Sequence, residues 1–295
     1  MPEFKIEFTS PARIEWVRIV TEWREKISIS KKIKFIELVF DQEVRFDNFD
    51  PIHIVLLSCF IDEIQTKGYV VRLDFKDEEL HDYLFNEVNL KTYWSKNKIN
   101  HVDSPVISDL NIWRITENGK EYYSISVHDY FKRIYFAGFD LSSLKNALNE
   151  LYFNVFDHAE AHGNAFSFIR YDKEEGKIQV AICDFGKGIG RTLREKYPNF
   201  ENDCVALENS IKIGITAKTQ KYNKGFGLDN VASSLKKGDR LRIVSNEALL
   251  DISDNSLNIK TLGIPFNFKG TLIYFDVAID SFEKEEMLED FSFFN

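Results

Sequence analysis

Cysteine is scarce in this chain: Cys59, Cys183 and Cys204 are its three, and none sits in a Cys-x-x-Cys pair. An odd, scattered set cannot pair completely, so the sequence predicts a reduced, cytoplasmic setting. Proline is also rare, six residues against twenty-six Phe and twelve Tyr, which leaves few flexible linkers and much aromatic bulk to bury. No apolar run reaches the length of a membrane span; the best, Ile52 to Ile61, is short and contains His53. The opening MPEFKIEFTS carries charges where a signal peptide needs its apolar stretch. Basic residues number 38 against 47 acidic, a net charge of −9, which excludes broad attraction to nucleic acid or anionic lipid but not a local basic pocket. What is present is ordinary globular composition, 44% hydrophobic and 29% charged over 295 residues, enough for one or two cores.

The pattern predicts an α+β protein in four parts: a small αβ domain at 1–105, a connecting hairpin and helix at 106–139, a second αβ domain at 140–282, and a tail at 283–295, acidic and then aromatic. In the first part, Ile33 to Phe40 and Tyr69 to Phe75 read as strands. Asp50-Pro51 starts a helix that carries Ile52, Val55, Leu56, Cys59 and Ile64 and stops at Gly68. A short helix follows from Glu78 to Asn86. This order resembles the STAS-like domains that precede ATP-binding modules in bacterial proteins; an unrelated αβ scaffold fits it too. Asn118-Gly119 between Leu110–Ile115 and Tyr122–Val127 predicts a hairpin with a two-residue turn. A docked terminal helix is expected for the tail.

Candidate chemistry begins after Asp140. Leu144, Leu148, Leu151 and Val155 predict an amphipathic helix running to about Ala161, ended by Gly163. Glu150, Asn154 and His158 share another stripe, with Asp157 beside it. A carboxylate one turn before an amide suits a water-activating base next to a ligand for Mg²⁺; a solvated helix face would look the same. Phe166–Tyr171 and Lys177–Phe185 read as strands. Ile178, Val180 and Ile182 alternate, and Asp184 continues their phase, so a carboxylate ends the strand on its core side. Gly186, Gly188 and Gly190 follow, with spacing that does not fit a dinucleotide fingerprint. An Asp ahead of glycines suits a purine amine approached closely by backbone; a tight turn after a strand uses the same residues. Arg191 to Asn223 shows no strand period and reads as a mobile segment or lid. Gly225-Phe226-Gly227-Leu228 opens a helix whose free amides could take an anion, with Lys218, Lys221 and Lys224 upstream. Arg240–Asn246, Ala248–Ile252 and Thr271–Ile279 read as strands.

Glu-x-x-x-Asn on a helix, Asp-x-Gly-x-Gly after a strand, Gly-x-Gly-Leu opening a helix and Gly-Thr opening a strand occur in this order between Leu144 and Ile279. That series resembles the GHKL superfamily of gyrase, sensor histidine kinase and MutL ATP-binding domains. The resemblance implies a Bergerat-type α/β sandwich, a mixed sheet with helices on one face. It implies ATP and Mg²⁺ as ligands, with Asn154 on the metal and Glu150 as the activating carboxylate. Asp184 and Thr271 would take the adenine, and Gly186, Gly188 and Ile189 would shape its pocket. Gly225, Phe226, Gly227 and Leu228 would receive the phosphates, with Asp157, His158 and Lys218 completing the nucleotide set. Gly214-Ile-Thr216-Ala-Lys218 is similar to a run in bacterial members joined to STAS-like domains. ATP hydrolysis driving a conformational switch is the leading expectation. Phosphoryl transfer to a protein hydroxyl, as in anti-sigma serine kinases, and ATP sensing without turnover are the alternatives. A histidine kinase fits less well, since His81-Asp82 and His128-Asp129 are the only His-acid pairs and neither has a suitable setting. A protein partner or substrate is implied, and homodimers are frequent in the superfamily.

Overall fold

The computed structural model describes residues 3–30, 34–90, 112–157, 161, 163–212, 227–254, 256–263 and 266–285. The chain begins β1 (Phe4–Phe8), α1 (Arg13–Lys26), β2 (Lys34–Phe40), α2 (Pro51–Thr66) and β3 (Tyr69–Phe75). These strands form a parallel sheet in the order β1-β2-β3. Successive right-handed crossovers in one direction put α1 and α2 on the same face of that sheet. A one-turn helix, α3 (Glu78–Asp82), then leads away from β3.

The rest of the chain supplies β4 (Trp113–Arg114), α4 (Lys120–Ile134), β5 (Phe139–Asp140), α5 (Ser142–Asp157), β6 (Ala165–Asp172) and β7 (Lys177–Asp184). It continues with α6 (Ile189–Lys196), α7 (Asp203–Ser210), α8 (Gly227–Ser234), β8 (Arg240–Asn246), β9 (Ala248–Ser253), β10 (Ser256–Thr261), β11 (Phe268–Ala278) and β12 (Glu283–Lys284). A seven-stranded sheet runs β10-β9-β8-β11-β7-β6-β4, and its described pairings are all antiparallel. Helices and strands are therefore arranged as an α+β fold, the class the sequence predicts.

Strand alternation divides the core between the two faces of this sheet. Ile178, Val180 and Ile182 of β7 join Leu148, Leu151 and Tyr152 of α5 in one cluster, together with Leu228 and Val231 of α8. Ala181 and Cys183 point the other way and join Cys59, Phe60 and Ile61 of α2. A resemblance-based sheet with helices on one face thus gains a second cover, because α2 lies between the small sheet and β6, β7 and β11. That position explains the composition of α2, where every residue from Pro51 to Ile61 is buried. A helix apolar on all sides must be enclosed on all sides. His53 fits there as a neutral ring: its Nδ1 accepts the Asp50 amide at 2.9 Å and its Nε2 meets the Pro11 carbonyl at 3.0 Å. Burial pushes its pKa down to about 4.

The expected hairpin at Asn118-Gly119 is a helix. Gly119 has φ −98°, not the positive φ a two-residue hairpin turn requires. It is glycine for space, since a Cβ there would lie 2.6 Å from Thr116 Oγ1 and 3.2 Å from the Trp113 ring. Tyr123, Val127, Tyr130 and Phe131 form the buried stripe of α4, and Tyr123 stacks on Trp113 at 3.9 Å. Of the stretch Arg191 to Asn223, expected as a mobile segment or lid, residues 191–212 are described and hold most of α6 and all of α7, while 213–223 lie outside the described residues. Leu207 is buried in the α5-side cluster, and α7 packs on β8, β9 and β10. At the tail, β12 pairs with β5, and residues 286–295 lie outside the described residues. No helix among the described residues is long and apolar enough to cross a membrane.

Candidate functional site

Asp184 is the last residue of β7 and follows Ile178, Val180 and Ile182 on the face covered by α5. Its neighbours across the ladders are Thr271 on β11 and Ala165 on β6. Asp184 is 4% exposed and Thr271 5%, so the carboxylate stands in a nearly closed position. Burial raises its pKa to about 6, opposed by the Gly186 amide, the Thr271 hydroxyl, the charge of Arg24 and the Thr271 amide. The Gly186 amide donates to Asp184 Oδ1 at 2.9 Å. At neutral pH the group is mostly an acceptor-only carboxylate, which suits a ligand that donates hydrogen bonds.

The glycine turn beyond Asp184 is held by side chains from the end of β8, which lies level with Asp184 on the far side of β11. Gly188 has φ +84°, and a Cβ there would lie 2.5 Å from Asn246 Oδ1, 2.7 Å from the Gly270 carbonyl and 2.8 Å from Ser245 Oγ. Only glycine meets both the conformation and the space. Gly270 has φ +137°, and its Cβ would fall 2.1 Å from the Asp184 carbonyl. Ser245 Oγ accepts the Ile189 amide at 2.8 Å and donates to the Gly270 carbonyl at 3.0 Å. Asn246 Oδ1 accepts the Arg191 amide at 3.1 Å, and its Nδ2 donates to the Lys187 carbonyl at 2.9 Å. Two amides at the start of α6 are therefore occupied within the protein. Any contribution of Ile189 to a ligand comes through its half-buried side chain, which packs against the α5-side cluster.

On α5 the buried stripe is Leu144, Leu148, Leu151, Tyr152 and Val155, and the Tyr152 hydroxyl bonds Ser167 Oγ of β6 at 2.8 Å. Glu150 and Asn154 lie beside that stripe and are half-buried. Helix α8, opened by Gly227, packs along α5, with Leu228 and Asp229 buried. Asp184, Gly186 and Thr271 are thus in direct association, with Gly188 and Ile189 in the adjoining frame. Asn154 and Leu228 sit on neighbouring helices of the same layer. His158, Lys218, Gly225 and Phe226 lie outside the described residues, as does the side chain of Asp157. Ser245 and Asn246 are the contributors that sequence reasoning misses. Asn246 has φ +53°, consistent with a turn residue, but its capping of a helix 55 positions earlier has no local signal.

Among the described residues no group of three His, Cys, Asp or Glu side chains could hold a metal ion unaided. A magnesium ion here would need oxygen ligands from a bound phosphate, the usual way this ion is held.

No family model matches the chain, and no curated protein matches it. Among solved structures, the ATP-binding domain of topoisomerase IV from Francisella tularensis, in complex with a small-molecule inhibitor, aligns at 16% identity. The alignment covers 41% of this chain and 32% of that one, with a TM-score of 0.25. A likeness this slight carries no argument.

Proposed function

We propose that this chain binds ATP between α5 and the glycine turn after β7, and hydrolyses it to drive a conformational switch. The observation that carries the reading is the Asp184 carboxylate, buried at a strand end and backed by Gly186 and Thr271. A buried carboxylate is retained at a cost unless a donor is offered to it, and the exocyclic amine of adenine is such a donor. The GHKL-like order of motifs, from Glu150 and Asn154 to Thr271, supports the same assignment.

Under this reading Asp184 accepts the adenine amine and Thr271 stands next to it. Gly186 lets the base approach the backbone, and Gly188, packed against Asn246, Gly270 and Ser245, fixes the turn that shapes the pocket. The amides at Gly227 and Leu228, at the positive end of α8, receive the phosphates. Asn154 would hold a magnesium ion together with the phosphates, and that ion, when bound, would offset their negative charge. Glu150 orients the attacking water and takes its proton.

Purified protein incubated with Mg²⁺ and γ-labelled ATP tests this reading. Release of labelled inorganic phosphate, lost in Glu150→Ala, is the expected result. Label transferred to polypeptide would instead make the chain a protein kinase, and bound, unchanged ATP would make it a sensor.

A further inference from the structure

Asp184 and Thr271 belong to two strands whose ends are gripped from the other face of the sheet. Arg24 lies in the last turn of α1, and its side chain is 11% exposed. Its guanidinium stacks over the Phe185 ring, 3.6 Å from the centroid, and Phe185 directly follows Asp184. One terminal nitrogen donates to the Lys269 carbonyl at 2.5 Å, and Lys269 directly precedes Gly270 and Thr271. Nε donates to Glu63 Oε2 of α2 at 2.6 Å. Glu63 also pairs with Lys67 at 2.9 Å, and Lys67 Nζ returns to the Arg24 carbonyl at 2.8 Å. One side chain from the first helix thus holds the end of β7, the start of β11 and the helix α2.

We propose that Arg24 is a positioning residue for the nucleotide site, setting the separation of Asp184 and Thr271 and so the fit of the adenine ring. This rests on the assignment of Asp184 to adenine made above. Geometry makes the link tight, because the Gly270 Cα packs so closely on the Asp184 carbonyl that no Cβ would fit. A displacement of Phe185 or Lys269 is passed to their neighbours with nothing soft between them. Misplacement of an orienting group by a fraction of an ångström is costly in a preorganised site. Space for the movement exists: a cavity of about 160 Å³ borders Arg24, lined also by Thr21, Glu25, Glu63, Asn267 and Lys269. The arrangement makes α1 and α2 a means of control over the site on the far side of the sheet. A change that draws Glu63 or α1 away loosens the adenine end without touching it.

Arg24 also acts on Asp184 through its charge, which favours the ionised carboxylate. Among the described residues, the Cys59 thiol of α2, kept protonated by burial, and the uncharged donors of Gly186 and Thr271 also interact with Asp184. Arg24 is the cation among them.

The test is Arg24→Gln in the full chain, alone and combined with Asp184→Asn, with Phe185→Leu as a variant that keeps bulk but removes the ring face. ATP and tripolyphosphate affinities are measured by calorimetry, and the Asp184 carboxyl is titrated by carbon NMR without nucleotide. Arg24→Gln is expected to weaken ATP about tenfold and leave tripolyphosphate unchanged, with no further loss when Asp184 is already Asn. Phe185→Leu is expected to weaken ATP in the same way. The Asp184 midpoint is expected to rise in Arg24→Gln. Unchanged ATP affinity would overturn the proposal. So would equal loss for both ligands in both backgrounds, which marks a residue that merely stabilises the fold. A wild-type chain that binds no adenine nucleotide but still shows the raised midpoint would sink the nucleotide assignment and keep the link from Arg24 to Asp184. An unmoved midpoint would sever that link.

Discussion

Thr271 stands directly opposite Asp184 in the β7–β11 ladder, and both lie on the sheet face that α5 covers. The pair brings together a strand end and a strand start that are 87 positions apart, and a glycine on each side lets the backbones close.

The pH dependence of stability follows from the sign of the Asp184 shift. Its pKa is about 6 in the fold against an ordinary 3.8, so the folded state binds the proton more tightly than the unfolded chain. The contribution is therefore fully present below about pH 3.8 and is lost as pH rises through about 6. The gap corresponds to roughly 3 kcal/mol. Denaturant titrations of wild type and Asp184→Asn, subtracted at each pH, are expected to show this loss between pH 4 and pH 6.5, about the range set by the two values. A pH-independent difference would contradict the buried, ionisable role.

Nucleotide affinity is expected to run the other way. Only the ionised carboxylate is a pure acceptor, so ATP binding strengthens as pH rises through about 6. Asp184→Asn is expected to weaken ATP by roughly 10- to 100-fold, the value of a hydrogen bond to a charged group, and to spare tripolyphosphate. Equal weakening of both ligands would remove the adenine assignment.

Glu150 is half-buried beside the core stripe of α5. Glu150→Ala is expected to lower turnover by on the order of 10²–10⁴ with ATP affinity nearly intact, because a positioned base acts in the transition state. Steady-state phosphate release alongside equilibrium binding checks it. Parallel loss of both would make Glu150 a binding group.

The turn should be intolerant of added atoms. Gly188→Ala and Gly270→Ala each place a Cβ within 2.7 Å of a backbone carbonyl at positive φ. Each is expected to cost at least about 1–3 kcal/mol in thermal or chemical unfolding. Ser245→Ala, which leaves the Ile189 amide and Gly270 carbonyl without this partner, is expected to cost about 1–3 kcal/mol. A wild-type melting profile in any of these would show that the turn is not the fixed frame described here.

Local rules read the elements whose burial pattern is simple. The phase of Ile178, Val180, Ile182 and Asp184 gives the strand and the inward carboxylate, and Asp50-Pro51 gives the start of α2. Asn118-Gly119 misleads because glycine there serves the Trp113 packing, a contact invisible in a local window. Helix α1 has no side-chain cap at Ala12 to announce it. The frame around Gly188 and the grip of Arg24 on Lys269 depend on residues 55 to 245 positions apart, so no spacing rule finds them.

Isothermal calorimetry of the full chain with ATP and millimolar Mg²⁺, beside Asp184→Asn, tests the central claim most directly. Saturable one-to-one heat in the wild type, sharply weakened in the variant, is the predicted result. No heat with any adenine nucleotide, or identical isotherms for the two proteins, would contradict it.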